Sequence, residues 1–106
     1  MNDSEFAVLA EAALKRIEAG LEASGADLDF AQVSAGVLEI ELADGSKIIV
    51  NRHAAAQEMW VAARSGGFHF RWDGVAWRDT RGGGELIADL SALLSAQAGE
   101  EVDLRT

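Results

Sequence analysis

Apolar residues at Phe6, Leu9, Ala10, Ala13, Leu14, Ile17 and Leu21 recur at steps of three and four, which on a helix gathers them into one buried stripe. The spacing predicts a helix from about residue 3 to about residue 23, capped by Asn2 or Asp3, with Glu5 in the first turn where a carboxylate meets the positive helix end. Gly20 interrupts the pattern at a cost of roughly 1 kcal/mol relative to alanine, so the last turn is expected to fray. Glu11, Lys15, Glu18 and Glu22 fall on one line along the opposite, solvent side.

After Ser24-Gly25 the period drops to two. Leu38, Ile40 and Leu42 alternate with Val37, Glu39 and Glu41, and Asp44-Gly45 supplies a hairpin turn into residues 46–52. A shorter strand over about residues 29–33 is expected before it. Met59, Val61 and Ala63 then alternate with Glu58, Trp60 and Ala62, so that Trp60 faces outward if the Met59 set faces the core. Phe68, Phe70 and Trp72 share one face and His69 and Arg71 the other, and Asp73-Gly74 turns the chain into a strand over residues 75–78. Leu86, Ile87, Leu90, Leu93 and Leu94 mark a second amphipathic helix stopped by Gly99, and a tail can rest on the core through Val102 and Leu104.

A helix, a run of consecutive short strands and a second helix is a segregated α+β order. Helices with one apolar stripe bury it against the apolar face of the sheet. The expected architecture is a two-layer α/β sandwich, with the N- and C-terminal helices on one face of an antiparallel sheet and the other face left to solvent or a partner. At 106 residues there is material for one core, hence a single domain over 1–106. Trp72 and Trp77 alternate with core residues and are read as packing; Trp60 is not.

Composition changes the picture by exclusion. The absence of cysteine removes disulfides, thiolate metal sites and thiol nucleophiles. No apolar run approaches a membrane span, and the acidic start lacks the features of a secretory or transit peptide, so a soluble protein of a bacterial cytoplasm is expected. No phosphate loop, dinucleotide fingerprint or HExxH pattern is present, and a small two-layer sandwich has little room for a catalytic pocket; the chain is expected not to be an enzyme. The two histidines, His53 and His69, have no second histidine at helical ligand spacing and are read as structural or incidental.

Charge adds direction. Of the net −9, residues 1–44 hold ten acids against Lys15 and Arg16, whereas the remainder is nearly balanced. That asymmetry favours a cationic partner, a basic protein face or metal ions over nucleic acid or an anionic membrane. Exposed carboxylates suit hard ions, and Glu18 and Glu22 lie one helical turn apart, with Glu11 further along and Asp27 and Asp29 within reach if the next loop folds back. Lys15, in the middle of that row, argues against one compact, tight site. A solvated charged face is the plain alternative.

The residues Asp-Gly-Ser-Lys-Ile-Ile-Val-Asn-Arg from Asp44, then Met-Trp-Val-Ala-Ala and Gly-Gly-Phe-His-Phe up to Phe70, resemble the sheet core of the bacterial frataxins, the CyaY family. Asn2-Asp3-Ser4-Glu5-Phe6, Gly36-Val37-Leu38, Trp77-Arg78-Asp79 and Gln97-Ala98-Gly99-Glu100 extend the likeness over nearly the whole chain. The resemblance implies the same α-β-α order, a low-affinity iron-binding acidic ridge (Fe²⁺ or Fe³⁺) on the first helix and first strand, and docking on the cysteine desulfurase of iron–sulfur cluster assembly. It places Trp60 in the desulfurase contact, with Asn51 beside it and Glu18 and Glu22 supplying charge. The protein would be a monomer and an iron-responsive regulator or an iron donor, with the assembly scaffold as a further partner. The chain departs from the family pattern at Ala54, Ala55 and Ala56, where a proline often precedes the tryptophan. It departs again at Ala12, Ala19, Ala31 and Gln32, which thin the acids. The rival reading is an acidic adaptor with no physiological metal role; a third is iron oxidation by a carboxylate cluster.

Overall fold

The computed structural model describes residues 1–105. Helix α1 runs Asp3–Ser24 and is opened by a reciprocal cap: the Asn2 side chain accepts from the Glu5 N–H at 2.8 Å and the Glu5 carboxylate accepts from the Asn2 N–H at 3.1 Å. Six strands follow, β1 Leu28–Ser34, β2 Val37–Leu42, β3 Lys47–His53, β4 Glu58–Ala63, β5 Gly66–Trp72 and β6 Trp77–Asp79, and then helix α2, Leu86–Ala98. The strands pair antiparallel in sequence order as one six-stranded sheet. Both helices lie on one face of it, as the alternation predicts. Among the described residues no helix is long and apolar enough to cross a membrane.

Register sets which side chains meet the helices. Leu38 pairs with Val50 and Val50 with Val61, Ile40 pairs with Ile48, and Met59 pairs with Phe70. All of these are buried against Phe6, Leu14, Ile17 and Leu21 of α1 and Leu86, Leu90 and Leu94 of α2. Trp77 closes the β6 end of the core, its ring edge-on to Phe6 at 6.0 Å and to Trp72 at 5.5 Å. Its indole N–H is buried without an acceptor, so Trp77 is held by ring packing alone.

The Asp44-Gly45 hairpin forms where the sequence places it. Asp44 accepts from both the hydroxyl and the N–H of Ser46, at 2.6 and 2.9 Å, and from Arg64 at 3.0 Å. Those hydrogen bonds, Ser46 foremost, hold its carboxyl down at about 2. The last strand is shorter than the alternation suggests. Asp73 accepts from the N–H groups of Val75 and Ala76, both at 2.8 Å, which draws these two residues into the turn and leaves Val75 82% exposed.

Gly20 corrects the expectation of a frayed last turn. The helix continues to Ser24 and ends at Gly25 in the left-handed conformation. Gly20 itself is buried under the C-terminal tail: a Cβ there would lie 2.8 Å from the Leu104 carbonyl oxygen and 3.0 Å from its Cβ. The tail is latched from the other side by two α2 serines. Ser95 Oγ accepts the Val102 N–H at 2.8 Å and Ser91 Oγ the Leu104 N–H at 3.0 Å, which seats Val102 and Leu104 in the core.

Helix propensity and packing therefore give opposite signs for Gly20→Ala. Propensity alone offers a gain of about 1 kcal/mol, whereas displacing the tail costs about 1–3 kcal/mol. The urea midpoint of Gly20→Ala is expected to fall below that of the parent. A higher midpoint would mean that the tail does not seat on α1.

Candidate functional site

Among the described residues none forms a second layer on the face turned away from the helices, so its side chains are held by one another. At its centre Asn51 of β3 lies opposite Trp60 of β4, and Trp60 opposite His69 of β5. The imidazoles of His53 and His69, from the strands on either side, lie parallel to the Trp60 indole at centroid separations of 3.8 and 4.4 Å, with interplanar angles of 8° and 7°. Trp60 thus faces outward, as the alternation predicts, but half-buried as the middle ring of three. Both histidines have a structural role here.

One residue before Met59 stands Glu58, on the same face as Trp60 yet only 6% exposed. Its Oε1 accepts from Trp60 Nε1 at 2.9 Å and its Oε2 from an Arg71 guanidinium nitrogen at 2.7 Å, while His69 Nδ1 lies 3.5 Å away. A buried carboxylate is costly unless hydrogen-bonded and paired, and this one is both. The Trp60 N–H, with Arg71 adding to it, holds the carboxyl below the ordinary glutamate range against the opposing effect of burial.

The turn before β4 also shapes the site. His53 Nδ1 accepts the Ala56 N–H at 3.2 Å, the Gln57 N–H bonds to the Ala54 carbonyl at 3.1 Å, and the Gln57 side chain reaches the Met1 carbonyl at 2.9 Å. Gln57 takes a left-handed backbone, φ 54°, to bring Glu58 into the strand. These bonds fix the segment at Ala54, Ala55 and Ala56 without a proline, and they fix the His53 ring with it.

The acids lie along the other end of the molecule. Glu18 leans from α1 over the sheet edge, its Oε1 accepting from Gln32 of β1 at 3.0 Å. Asp29 of β1 sits opposite Glu41 of β2 on the outer face, two like charges in register. Glu39 is ion-paired to Lys47 at 2.9 Å, and Glu39, with Glu41 nearby, raises the Lys47 pKa. Glu22 and Asp27 are exposed near the end of α1, and Glu11 is half-buried in a shallow groove with Lys15 and Arg52. Among the described residues no group of three or more Asp, Glu or His is close enough to hold one metal ion. The ridge therefore offers single carboxylates and pairs, which leave a hard cation most of its water.

Nothing in the sequence alone marks Glu58, Glu39 or Glu41 as site residues. Strand alternation already places all three outward. What it lacks is the register that sets Glu58 against Arg71 and Glu41 against Asp29. The outer face is also polarised: Asp29, Glu39 and Glu41 stand on β1 and β2, Arg71 and Arg78 on β5 and β6.

Two helices on one side of a six-strand meander, with an aromatic at the centre of the free face and acids along the α1–β1 edge, define a frataxin-like domain. The sequence profile of the frataxin-like domain matches residues 1–100. The iron–sulfur cluster assembly protein CyaY of Dechloromonas aromatica is 67% identical over 105 residues, covering 99% of this chain and all of that one. The protein of the same name from Cupriavidus metallidurans is 54% identical over 108 residues, covering 99% of this chain and 97% of that one. A solved structure of the frataxin from Psychromonas ingrahamii superposes with a TM-score of 0.91 at 37% identity over the full length of both chains. The chain belongs to the bacterial frataxins, the CyaY family.

The Glu58 carboxylate gives the site a pH signature. A group whose folded pKa is depressed contributes stability above its ordinary value, and that stability is lost as pH falls through the folded one. The stability difference between the parent and Glu58→Gln is expected to be constant from pH 7 to about 5 and to shrink below 4.5, the ordinary glutamate value. Urea midpoints measured from pH 7 to 3 check this. A difference that grows on acidification would mean that the buried form is the protonated one.

Proposed function

We propose that this chain acts in iron–sulfur cluster assembly as a non-catalytic cytoplasmic protein that binds iron weakly on its α1–β1 carboxylates and docks on cysteine desulfurase through the face carrying Trp60 and Asn51. Supporting the first part are the relatives named for cluster assembly, 67% and 54% identical over nearly the whole chain. The observation that carries the second is Trp60, a large aromatic at the centre of a sheet face that nothing in the fold covers, the position and residue type of an interface anchor. Asn51 lies directly beside it across the β3–β4 register.

Charge and anchor have separate tasks. The acids of α1, β1 and the turn between them, Glu18, Glu22, Asp27 and Asp29 among them, attract a basic partner surface from a distance and so act on the rate of encounter. The same acids are hard oxygen donors for Fe²⁺ or Fe³⁺ as cargo. A cation between Asp29 and Glu41 would relieve their repulsion and alter the charge that the ridge presents, which lets iron act as a regulator of docking or be handed on as a donor would. A second reading, an acidic adaptor that docks without a metal role, is favoured by the absence of any three-carboxylate group among the described residues.

Association and dissociation with cysteine desulfurase, measured with and without anaerobic Fe²⁺, test these readings together. Glu18→Lys with Glu22→Lys is expected to slow association and flatten its salt dependence. Trp60→Ala is expected to leave association nearly unchanged and to speed release by an amount equivalent to about 2 kcal/mol, near thirtyfold. Fe²⁺ is expected to change the association rate of the parent more than that of the double lysine variant. Kinetics indifferent to Fe²⁺ in both would favour the adaptor, and release indifferent to Trp60 would remove the sheet face from the contact.

A further inference from the structure

Trp60 is held more tightly than an exposed anchor needs to be. Its two faces are occupied by His53 and His69, and its only polar atom is bound by Glu58, a carboxylate that the strand has to bury to reach it. Glu58 is fixed in turn by Arg71, whose side chain is 65% exposed and serves as a lid over the carboxylate rather than as part of the core. The indole therefore cannot rotate about its side-chain torsions without breaking a hydrogen bond to a charged acceptor and opening two ring stacks. With both faces covered, a partner meets the rings at their edges.

We propose that Glu58 is a positioning residue of the contact surface: its buried carboxylate locks the Trp60 indole into the His53–Trp60–His69 stack and so lengthens the lifetime of complexes made through that stack. The inference rests on the docking reading given above. Its physical basis is preorganisation. An aromatic side chain free to sample several rotamers loses that freedom when a partner closes over it, whereas one already locked does not. The gain appears in dissociation, because encounter is governed by charge far from this centre. The acceptor is the Glu58 carboxylate oxygen at 2.9 Å, a position that an isosteric amide oxygen could also fill, while Asn51, across the β3–β4 register, turns its side-chain N–H to the Arg52 carbonyl at 3.3 Å.

The test uses the full chain, ¹⁵N-labelled, as the parent and as Glu58→Leu, Glu58→Gln and Trp60→Ala, with cysteine desulfurase as the partner. The first readout is the exchange of the Trp60 indole N–H with water in the free protein. In the parent it is expected to be at least about tenfold slower than in an unprotected indole, although Trp60 sits on the uncovered face. Glu58→Leu fills the space but accepts no hydrogen bond; it is expected to abolish that protection and to speed release from the desulfurase about three- to tenfold, with association unchanged. Glu58→Gln, which keeps an acceptor in place, is expected to restore most of both. If Trp60→Ala speeds release while Glu58→Leu changes neither exchange nor release, the positioning role is overturned and the docking reading stands. If Trp60→Ala leaves release unchanged, the docking reading fails and the proposed effect on lifetime fails with it. Should Glu58→Leu not fold, rapid exchange of the Trp60 indole in the parent would by itself overturn the lock, and protection that weakens in the parent as the Glu58 carboxylate is protonated but holds in Glu58→Gln, whose amide oxygen does not titrate, would uphold it.

Discussion

Both helices lie on the same face of the sheet, and most of the outer surface of this molecule follows from that constraint. A strand presents every second residue to each side, so the meander that buries Leu38, Ile40, Ile48, Val50, Met59, Val61 and Phe70 under the helices must also display an equal set with nothing above it. On that side, stability and shape come from cross-strand pairs alone. Glu39 with Lys47, Glu58 with Arg71, and Trp60 between two imidazoles are the pairs that supply them. The free sheet face is thus ordered by its own side chains, and its centre is aromatic.

The helical side carries a different kind of order. There the fit is steric: the tail crosses α1 at Gly20 with no room for a Cβ and is clamped by Ser91 and Ser95 from α2. The tail joins the two helices to each other as well as to the sheet, which explains why a glycine stands in a helix that could otherwise hold alanine. The acidic ridge runs along the seam between these two regimes. Glu18 bridges from helix to strand through Gln32, and Asp29 and Glu41 face each other just over the edge. Like charges in register at a seam are unfavourable, and Lys47, opposite Glu41 on β3, offsets part of that repulsion within the fold.

Element identity and facing were legible in the sequence because both are local. The three- and four-residue steps from Phe6 to Leu21, the alternation around Ile40 and Trp60, and the Asp44-Gly45 turn each signal within a few residues what the chain does. The outward placement of Trp60 came from the same signal. What stayed hidden depends on partners far along the chain. Gly20 looks like a helix weakness until Leu104 is laid across it. Glu58 looks like a solvated strand residue until the register brings Arg71 opposite and turns the Trp60 N–H toward it. Alternation carries the strand back to Val75 because the competing hydrogen bonds of Asp73 are invisible to it. The candidate ridge shows the same limit: helical spacing aligned Glu11, Glu18 and Glu22, but only the fold shows that Glu39 and Glu41 stand by Asp29 while Glu11 lies in a groove beside Arg52.

The surface proposed for cysteine desulfurase is the uncovered sheet face around Trp60, continued by the α1–β1 ridge. Cross-saturation NMR from unlabelled desulfurase to the deuterated, ¹⁵N-labelled chain tests it most directly, since it reports proximity residue by residue. The account predicts signal loss concentrated at Asn51, the Trp60 indole and His69 and extending to Glu18 and Glu22, with α2 untouched. Loss centred on α2 and the turn at Val75, with the Trp60 indole unaffected, would contradict it.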